Sequence, residues 1–536
     1  MNRSIQLIWL FTMACSQVAS CDDPSNTDRR VVIGGRPPAG YSGNTARILE
    51  DNVHAVKQNS TIKLNESDFR YAHMYGYSRL FEQMNLHGYS HDRLTEGRLT
   101  PSLLAEYDVL FLNLMDETRP AFTEDEIEAV RAFVHAGGGL FVIADHTNVY
   151  RHAELTNPLL APYGIEIRYE ICVDVSPHTV SGLGWILVTD VRAHPVHGDV
   201  QEYSLQTGGP VDGPGGVGFT SAGGWGDQWN PEMKEGYYGN WTKDPGEQSG
   251  PQAVVQAVEY GGGRVFVAGD QNIFGDPYLM FLDNRGLALN AFEWLAHRET
   301  EAMRDSPMPG LNVRIDTAAD NLSTGKAGTT NHYTFYTNLN RIAALSALAT
   351  RRPLAWIPDV LLWLEPSRVV TDEVLEEADA VLANGGQLTL VLHPGQISPA
   401  SIHLLQHFDL AAGFETSSGQ AVDLSETAVV DRLLNVTLAP KLRDRTVTLA
   451  SCPAIRCPEH AVWTATDASG GSCDLLCEFP LLNGRFLVSF AGEFYRRSAQ
   501  GDVHDVPKDA SEAAYLLELG LSDVWLEFGI PQRYQN

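Results

Sequence analysis

The sequence predicts an α/β protein built from two tandem, doubly wound domains. The chain of 536 residues is long enough for two or three domains. Its candidate strands are continuous apolar runs, which is typical of parallel sheets buried on both faces. These strands alternate with helices in a layout that occurs twice. Hydrophobic residues make up 43% of the chain and charged residues 20%, which indicates a globular protein.

The charge balance is strongly acidic. Lysine and arginine number 38 against 67 aspartates and glutamates, which gives a formal net charge of −29. A nucleic-acid-binding protein needs a cationic face to neutralise phosphates, and a basic surface also draws proteins onto anionic lipid. The composition therefore argues against nucleic acid as a partner and against peripheral adsorption to membranes.

Residues 1–20 have the layout of an export signal. Arg3 supplies a positive start, and the apolar run at 5–13 is too short to span a bilayer. Small residues then lead to Cys21, as in the bacterial lipoprotein signal, whose cysteine is lipidated; an ordinary secretory signal is the alternative. We therefore expect an exported protein, anchored by lipid in the bacterial cell envelope on the periplasmic or outer-membrane side, with 21–43 as a flexible tether.

Four cysteines cluster in the C-terminal part with the spacing C-x4-C-x15-C-x3-C. In the oxidising compartment that export implies, they predict two disulfides, and the sequence leaves three connectivities open. A structural zinc site is the alternative because His460 lies nearby, although zinc sites favour tighter cysteine pairs. Cys172 stands alone and is expected to be a small buried hydrophobe. The clustered residues are Cys452, Cys457, Cys473 and Cys477.

The first copy of the repeated layout is assigned to 44–299. Its apolar strands alternate with helices, and the helix that starts after the N-cap Thr123 ends at the glycines 137–139. This alternation indicates a parallel sheet that is covered on both faces. In chain order, strands are predicted at 45–50, 108–114, 140–144 and 263–270, and helices at 123–136 and 284–296.

The second copy is assigned to 330–536 and follows a linker at 300–329. A constant offset of 248 places His393 at the position of Asp145. Four matched elements in the same order rarely arise by chance, so we infer an internal repeat. The second copy has fewer polar strand ends, so we expect it to be degenerate and to serve in packing or partner binding. Its elements are predicted at 359–364, 371–384, 388–392 and 484–493.

These motifs resemble a known family. The runs YDVLFLNL, FTEDEIEAVRAFVHAGGGLFVIADHTN, NPLLAPYGI, GGGRVFVAGDQNIFGD and DNRGLALNAFEWL are similar to the class I glutamine-amidotransferase-like fold. The likeness is closest to its non-amidotransferase branch, seen in gliding-motility, intraflagellar-transport and uncharacterised bacterial surface proteins. It covers 44–299 well and 330–536 more loosely. The resemblance implies flavodoxin-like domains and says little about activity.

The resemblance also bears on catalysis. Enzymes of the family carry a cysteine on the sharp turn after the central strand and complete a triad with a later His-x-Glu. Here that turn carries Asp145 and His146, and its counterpart in the second copy carries His393 and Pro394. Without a thiolate there is no acyl-enzyme route. The resemblance therefore implies a relative without glutamine amidotransferase activity.

Polar residues at the strand ends of the first copy form the first candidate site, because doubly wound sheets bind ligands at the carboxyl ends of their strands. Imidazole and carboxylate together suit a divalent metal such as zinc or manganese, whose bound water could act as a hydrolytic nucleophile. Alternatively, these residues are helix N-caps and loop hydrogen-bonders. The candidates are His54, Asp145, His146, Asp270 and Asn272.

The glycine-rich segment 207–250 is the second candidate site. Aromatic side chains on an exposed loop can stack on sugar rings, and loops of this length are commonly functional. Alternatively, the rings cover the sheet edge as a satellite core. Asn240, Asp244 and Glu247 offer three oxygen ligands that could hold Ca²⁺. The aromatic candidates are Trp225, Trp229, Tyr238 and Trp241.

Together these features predict a non-catalytic envelope lipoprotein. It is expected to bind a glycan or an envelope protein through the strand ends of the first copy and the aromatic loop. A metal-dependent hydrolase that uses the same strand ends is the second hypothesis. A structural component of the envelope or of a motility apparatus is the third.

Overall fold

The computed structural model describes most of the chain. The export signal at 1–20 and the lipidation site Cys21 lie outside the described residues. Within the described part, no helix is long and apolar enough to cross a membrane. The described residues are 29–55, 60, 76–180, 183–230, 238–276, 278–298, 306–319, 331–340, 345–393, 397–416, 429–437, 446–453, 455–467 and 472–496.

The first half of the described chain combines many short strands with a few helices. Its strands are β1 (Arg30–Gly35), β2 (Ala46–Asp51), β3 (Tyr89–Glu96), β4 (Val109–Leu112), β5 (Gly139–Ile143), β6 (Glu166–Ile167), β7 (Glu170–Val173), β8 (Trp185–Val188), β9 (Asp190–Val191), β10 (Tyr203–Gln206), β11 (Val211–Asp212), β12 (Gly216–Phe219), β13 (Trp225–Gln228), β14 (Ala253–Tyr260) and β15 (Gly263–Ala268). Its helices are α1 (Ser78–Leu86), α2 (Pro101–Leu104), α3 (Glu124–His135), α4 (His152–Leu160) and α5 (Asn284–Leu295).

A nine-stranded mixed sheet organises this half. Its order is β1-β3-β2-β4-β5-β15-β14-β12-β9, and the strands from β3 to β15 in this order run parallel. The edge strand β1 and the strands β14, β12 and β9 pair antiparallel. The carboxyl ends of the parallel strands therefore lie along one edge of the sheet, where ligands of such sheets bind.

The second half repeats this layout. Its strands are β16 (Leu311–Asp316), β17 (Leu345–Thr350), β18 (Val360–Leu364), β19 (Gln387–Val391), β20 (Glu415–Thr416), β21 (Val429–Thr437), β22 (Thr446–Pro453), β23 (Ile455–Arg456), β24 (Ala461–Asp467), β25 (Ser472–Leu481) and β26 (Gly484–Ser489). Its helices are α6 (Tyr333–Leu339), α7 (Asp372–Ala383), α8 (Pro399–His407) and α9 (Gly492–Tyr495).

The second sheet has the order β17-β16-β18-β19-β26-β25-β24-β21-β22. The strands from β17 to β26 in this order run parallel, and the remaining strands pair antiparallel. In both sheets, the first parallel strand in the chain lies between the second and the third. The predicted α/β class is therefore confirmed.

The two faces of the first sheet bury different side chains, because residues alternate along a strand. In β4, Phe111 packs in the core with α1 and α5, whereas Leu112 packs in the core with α3 and α4. In β2, Ile48 packs in the core with α1 and α5, and Leu49 packs in the core with α3 and α4. We call these the α1 face and the α3 face.

Two segments predicted without regular structure each contain a strand. Within the predicted tether, β1 pairs with β3, with Val31 opposite Leu94. Within the predicted linker 300–329, β16 lies between the edge strand β17 and β18 in the second sheet. Both strands adjoin glycine- and proline-rich stretches, which typically indicate loops. They belong to the sheets because they pair with strands that are distant in sequence. Local composition does not indicate such pairing.

Candidate functional site

Most of the predicted polar residues come together on the α1 face, at the carboxyl ends of the parallel strands. Side chains alternate along a strand, so Asn113 shares this face with Phe111, which precedes it by two residues. Every member of the group is at least 95% buried. We call this group the strand-end cluster; it comprises Glu50, Tyr77, Asn113, Asp145, Asp270 and Asn272.

Tyr77 links α1 to the segment that follows β15. Its hydroxyl donates a hydrogen bond of 3.1 Å to the backbone oxygen of Gln271. Burial raises the pKa of Tyr77 well above its ordinary value, and the nearby carboxylates of Asp145, Asp270 and Glu50 raise it further. The hydroxyl therefore stays protonated.

Asp270 is a buried carboxyl group held by neutral donors. Its oxygens accept hydrogen bonds from the backbone N–H groups of Gln206 and Asn272. Burial raises its pKa to about 7, although these two N–H groups act in the opposite direction. Asp270 therefore exchanges its proton near neutral pH.

Several buried amides beside these carboxylates have unused hydrogen-bonding atoms. Among the described residues, neither amide atom of Asn113 has a partner, and Asn113 is 1% exposed. The side-chain oxygens of Asn272 and Gln271 also have no partner within the described part of the chain. Buried polar atoms are nearly always paired with protein, water or ligand. The strand-end cluster thus has donors and acceptors to offer to a polar ligand.

The sequence patterns do not single out Tyr77 and Asn113. Asn113 directly follows the apolar run 109–112, so its place at a strand end could have identified it. Tyr77 precedes α1 outside every strand and motif, and nothing in the local sequence indicates its position.

His54 lies on the α3 face, apart from the strand-end cluster. Its Nδ1 atom is 2.7 Å from Asp51, and its Nε2 atom is 3.4 Å from Glu126 of α3. Burial lowers the pKa of His54, but these two carboxylates outweigh it and raise the pKa to about 9. Glu126 also completes the capping box of α3 with Thr123. This arrangement explains His54 as a structural cation.

The turn after β5 places Asp145 and His146. Thr147 has a φ of 50°, an uncommon conformation for a residue other than glycine. The backbone N–H of Asp145 donates to Nε2 of His152 at 3.1 Å. Burial lowers the pKa of His152 to about 4, so this ring is neutral and can accept. From this turn His146 reaches the aromatic segment.

His146 joins the strand ends to the aromatic segment. Its ring stacks on Tyr238 with the centroids 4.8 Å apart, and Tyr238 lies 5.4 Å from Trp241. Trp225 is 6% exposed and packs with Ile171, as a satellite core would. Trp229, in contrast, is 39% exposed. The segment therefore combines a packed base at Trp225 with an exposed ring at Trp229.

The oxygen atoms proposed for Ca²⁺ are occupied by the loop itself. Asp244 accepts a hydrogen bond from the side-chain amide of Asn240, and Glu247 accepts from the backbone N–H groups of Asp244 and Gln228. These bonds account for the three residues as turn-forming groups.

The predicted zinc or manganese ligands do not assemble around one point. Among the described residues, no three His, Cys, Asp or Glu side chains converge as metal ligands do. His54 lies on the α3 face, Asp270 on the α1 face, and His146 stacks on Tyr238. These side chains therefore do not fit a metal centre.

The cysteines have structural environments. Cys172 is completely buried, and burial raises the pKa of its thiol well above the ordinary range. Cys457 and Cys477 form a disulfide, which is one of the two predicted. The disulfide also removes two of the ligands that a zinc site would need. Cys473 is buried, and the side chain of Cys452 lies outside the described part.

Strand ends of the second sheet carry an ion-paired group instead. Arg496 donates two hydrogen bonds to Glu365, at 2.7 and 2.6 Å, and His332 lies 3.5 Å from the same carboxylate. Glu365 directly follows β18, as Asn113 follows β4. The carboxylate at this position is thus already bound by the protein's own side chains.

No protein-family model matches the chain, and no protein of curated function does. Among solved structures, the mmIFT52 N-terminal domain is 15% identical, and the match covers 48% of this chain and 100% of that one, with a TM-score of 0.35. A putative ThuA-like protein from Bacteroides uniformis is 16% identical over 48% of this chain and 94% of that one, with a TM-score of 0.29.

A β-galactosidase from Bacillus circulans is 14% identical, and the match covers 42% of this chain and 26% of that enzyme, with a TM-score of 0.24. These identities and scores establish neither a family nor an activity for this chain.

Proposed function

We propose that this chain is a lipid-anchored protein of the bacterial cell envelope that binds a glycan without catalysing amidotransfer. Its two sheets would be tandem flavodoxin-like domains of the class I amidotransferase-like type, the second degenerate. The glycan would lie against the strand ends of the first sheet. The observation that carries the proposal is that His146, stacked on Tyr238, and buried amides with unused hydrogen-bonding atoms follow the neighbouring strands β4, β5 and β15.

Sugars need two kinds of contact, and this region offers both. Apolar faces of sugar rings lie on aromatic side chains, which Tyr238 and the exposed Trp229 supply. Sugar hydroxyls both donate and accept hydrogen bonds, and an asparagine amide such as that of Asn113 does the same. A few polar groups that fix orientation beside an apolar wall are the usual design of a small-molecule site.

The absence of amidotransfer is proposed from the turn after β5. That turn carries Asp145, His146 and Thr147, and the nearest cysteine in sequence, Cys172, is buried and protonated. A buried thiol with a raised pKa is a poor nucleophile. Glutamine hydrolysis by the pure protein would contradict this part of the proposal.

A glycan array with variants of Tyr238 tests the binding function. Tyr238→Ala removes the ring and should weaken binding about tenfold or more, whereas Tyr238→Phe keeps the ring and should bind within about threefold of the parent. Leu482→Ala, at a side chain that is 75% exposed outside this region, is the surface control. Equal binding by Tyr238→Ala and the parent would contradict the proposed site, and an array without any bound glycan would contradict the function.

Metabolic labelling with radioactive palmitate tests the anchor. Label should enter the parent protein and be lost in Cys21→Ser, because acylation of this cysteine is what would hold the protein in the membrane. Cys172→Ser serves as the matched control. Unchanged labelling of Cys21→Ser would contradict the lipid anchor and leave the glycan site unaffected.

A further inference from the structure

The strands β7 and β13 form an antiparallel ribbon that continues past its strand ends. Within the ribbon, Asp227 is opposite Ile171. Two residues further along, the backbone N–H of Trp229 donates to the backbone oxygen of Tyr169 at 3.4 Å. Residues directly opposite each other in an antiparallel pair share one face, and so do side chains two apart along a strand. Trp229 and Tyr169 therefore point to the same face as Asp227.

The segment that carries Tyr238 packs on this same face. The Asp227 carboxylate accepts a hydrogen bond of 2.7 Å from the backbone N–H of Trp241. Tyr238 and Trp241 also pack against the buried apolar side chains of the ribbon. The backbone oxygen of Tyr238 accepts a hydrogen bond of 3.1 Å from the N–H of Asn230, the residue after Trp229. The end of the ribbon therefore adjoins the Tyr238 segment.

Solvent reaches the pair formed by Trp229 and Tyr169, in contrast to the rest of this face. Ile171 is completely buried, whereas Trp229 and Tyr169 are 39% and 45% exposed. Among the described side chains, no other tryptophan, tyrosine or phenylalanine is exposed to this extent. Removing aromatic surface from water is favourable, so a ligand that covers these rings gains binding energy. The pair therefore extends the aromatic surface of the proposed sugar site.

Charged side chains lie beside this pair, and most of them are acidic. Arg151 and Glu154 are both about half exposed and share a hydrogen bond of 3.0 Å. Burial raises the pKa of Tyr169, Glu154 and Glu166 raise it further, and Arg151 lowers it. Because Arg151 is paired with Glu154, the net charge near the Tyr169 ring is negative. Acidic ligands are repelled there, whereas sugar hydroxyls can donate to a carboxylate and accept from a guanidinium group.

From this arrangement we infer that the bound glycan is an uncharged chain of several sugar units, and that units beyond the one on Tyr238 lie across Trp229 and Tyr169. The inference rests on the proposed glycan-binding function and specifies the form of its ligand. That ligand is a chain without acidic groups, and Tyr169 joins the residues that bind it.

The size of this surface favours a glycan chain over a protein partner or a second copy of this chain. A stable protein–protein interface buries about 800 Å² on each partner. Among the described residues, the exposed apolar surface at this end of the ribbon comprises two side chains, and Arg151 and Glu154 lie beside it. A sugar ring needs only one aromatic ring beneath it and polar groups at its margin.

The length of the glycan is the variable that tests the inference. The full-length protein is assayed on an array with two-unit and six-unit oligosaccharides of chitin, cellulose and starch, which are neutral, and of hyaluronan and alginate, which are acidic. In a neutral series, the six-unit glycan should bind at least about tenfold more tightly than the two-unit glycan, because further rings cover Trp229 and Tyr169. Equal affinity for both lengths, or a preference for an acidic series, would overturn the inference while the glycan function stands. An array without any bound glycan would overturn both.

Variants assign the length preference to the exposed pair. Tyr169→Ala should lower the ratio of six-unit to two-unit affinity at least about threefold, whereas Tyr169→Phe keeps the ring and should retain the parent ratio. Trp229→Ala removes the other ring and should lower the ratio in the same way. Leu482→Ala, at a side chain that is 75% exposed outside this region, is the surface control and should retain the ratio. An undiminished ratio in both alanine variants, with folding verified by circular dichroism, would overturn the assignment.

Discussion

The pH dependence of stability offers a quantitative test of the environment of Asp270. This carboxyl group is completely buried, and burial raises its pKa from 3.8 to about 7 in the folded protein. In the unfolded chain the group is solvated and titrates near its ordinary value. The folded state therefore binds the Asp270 proton more tightly than the unfolded state does.

The sign and the size of the effect follow from this difference. A raised pKa stabilises the folded protein below about pH 4, and this stabilisation is lost as the pH rises through about 7. One pKa step corresponds to about 1.4 kcal/mol, so a rise from 3.8 to about 7 amounts to about 4 kcal/mol as an upper estimate. Asp270→Asn has no proton to lose, so this contribution is absent from the variant.

Urea unfolding followed by tryptophan fluorescence measures the difference. Between about pH 4 and pH 8, the free energy of unfolding of Asp270→Asn should rise by up to about 4 kcal/mol relative to the parent protein. Asp276, whose pKa is likewise about 7, is present in both proteins and cancels in the comparison. Asp379→Asn, at a side chain that is 57% exposed on α7, is the control, and its free energy of unfolding relative to the parent should change little with pH. A difference between Asp270→Asn and parent that stays constant with pH would refute the reasoning.

Three further predictions concern the framework of the site. Thr123→Ala should cost about 1 kcal/mol of unfolding free energy because it removes the side-chain cap of α3, whereas Thr371→Ala, at a cap without that hydrogen bond, should cost less; equal losses in urea unfolding would contradict this. His54→Ala should cost about 3 kcal/mol at neutral pH because two buried carboxylates lose their cation. This loss of unfolding free energy should shrink as the pH rises through about 9, because His54 then gives up its proton. A loss that does not change with pH would contradict the role of His54 as a cation. Cys457→Ser should lower the free energy of unfolding by about 3 kcal/mol, because a disulfide across a sequence separation of 20 is lost. Non-reducing peptide mapping that finds Cys457 and Cys477 on separate peptides would contradict the pairing.

The elements of the fold were predictable where local chemistry determines them. The helix predicted at 123–136 is α3 (Glu124–His135), because a threonine cap and glycines mark its two ends. The apolar run predicted at 140–144 is β5 (Gly139–Ile143). The strands β1 and β16 were missed because their flanks have loop-like composition and only pairing with distant strands reveals them.

The candidate site was predictable in location but not in membership. The strand-end rule identified Asp145, Asp270 and His146, since apolar runs show where strands end. His54 lies apart from the strand-end cluster because its partner Glu126 is on the α3 face. The local sequence does not indicate on which face of the sheet a partner lies. The contact between His146 and Tyr238 joins residues that are distant in sequence. Such contacts arise from the folding of the whole chain.

A crystal structure of the full chain soaked with the tightest-binding glycan would test the proposed function most directly. We expect a sugar ring against Tyr238, with a hydroxyl within hydrogen-bond distance of the Asn113 amide. A glycan bound elsewhere on the molecule, or a site that stays empty at saturating glycan, would contradict the proposed site.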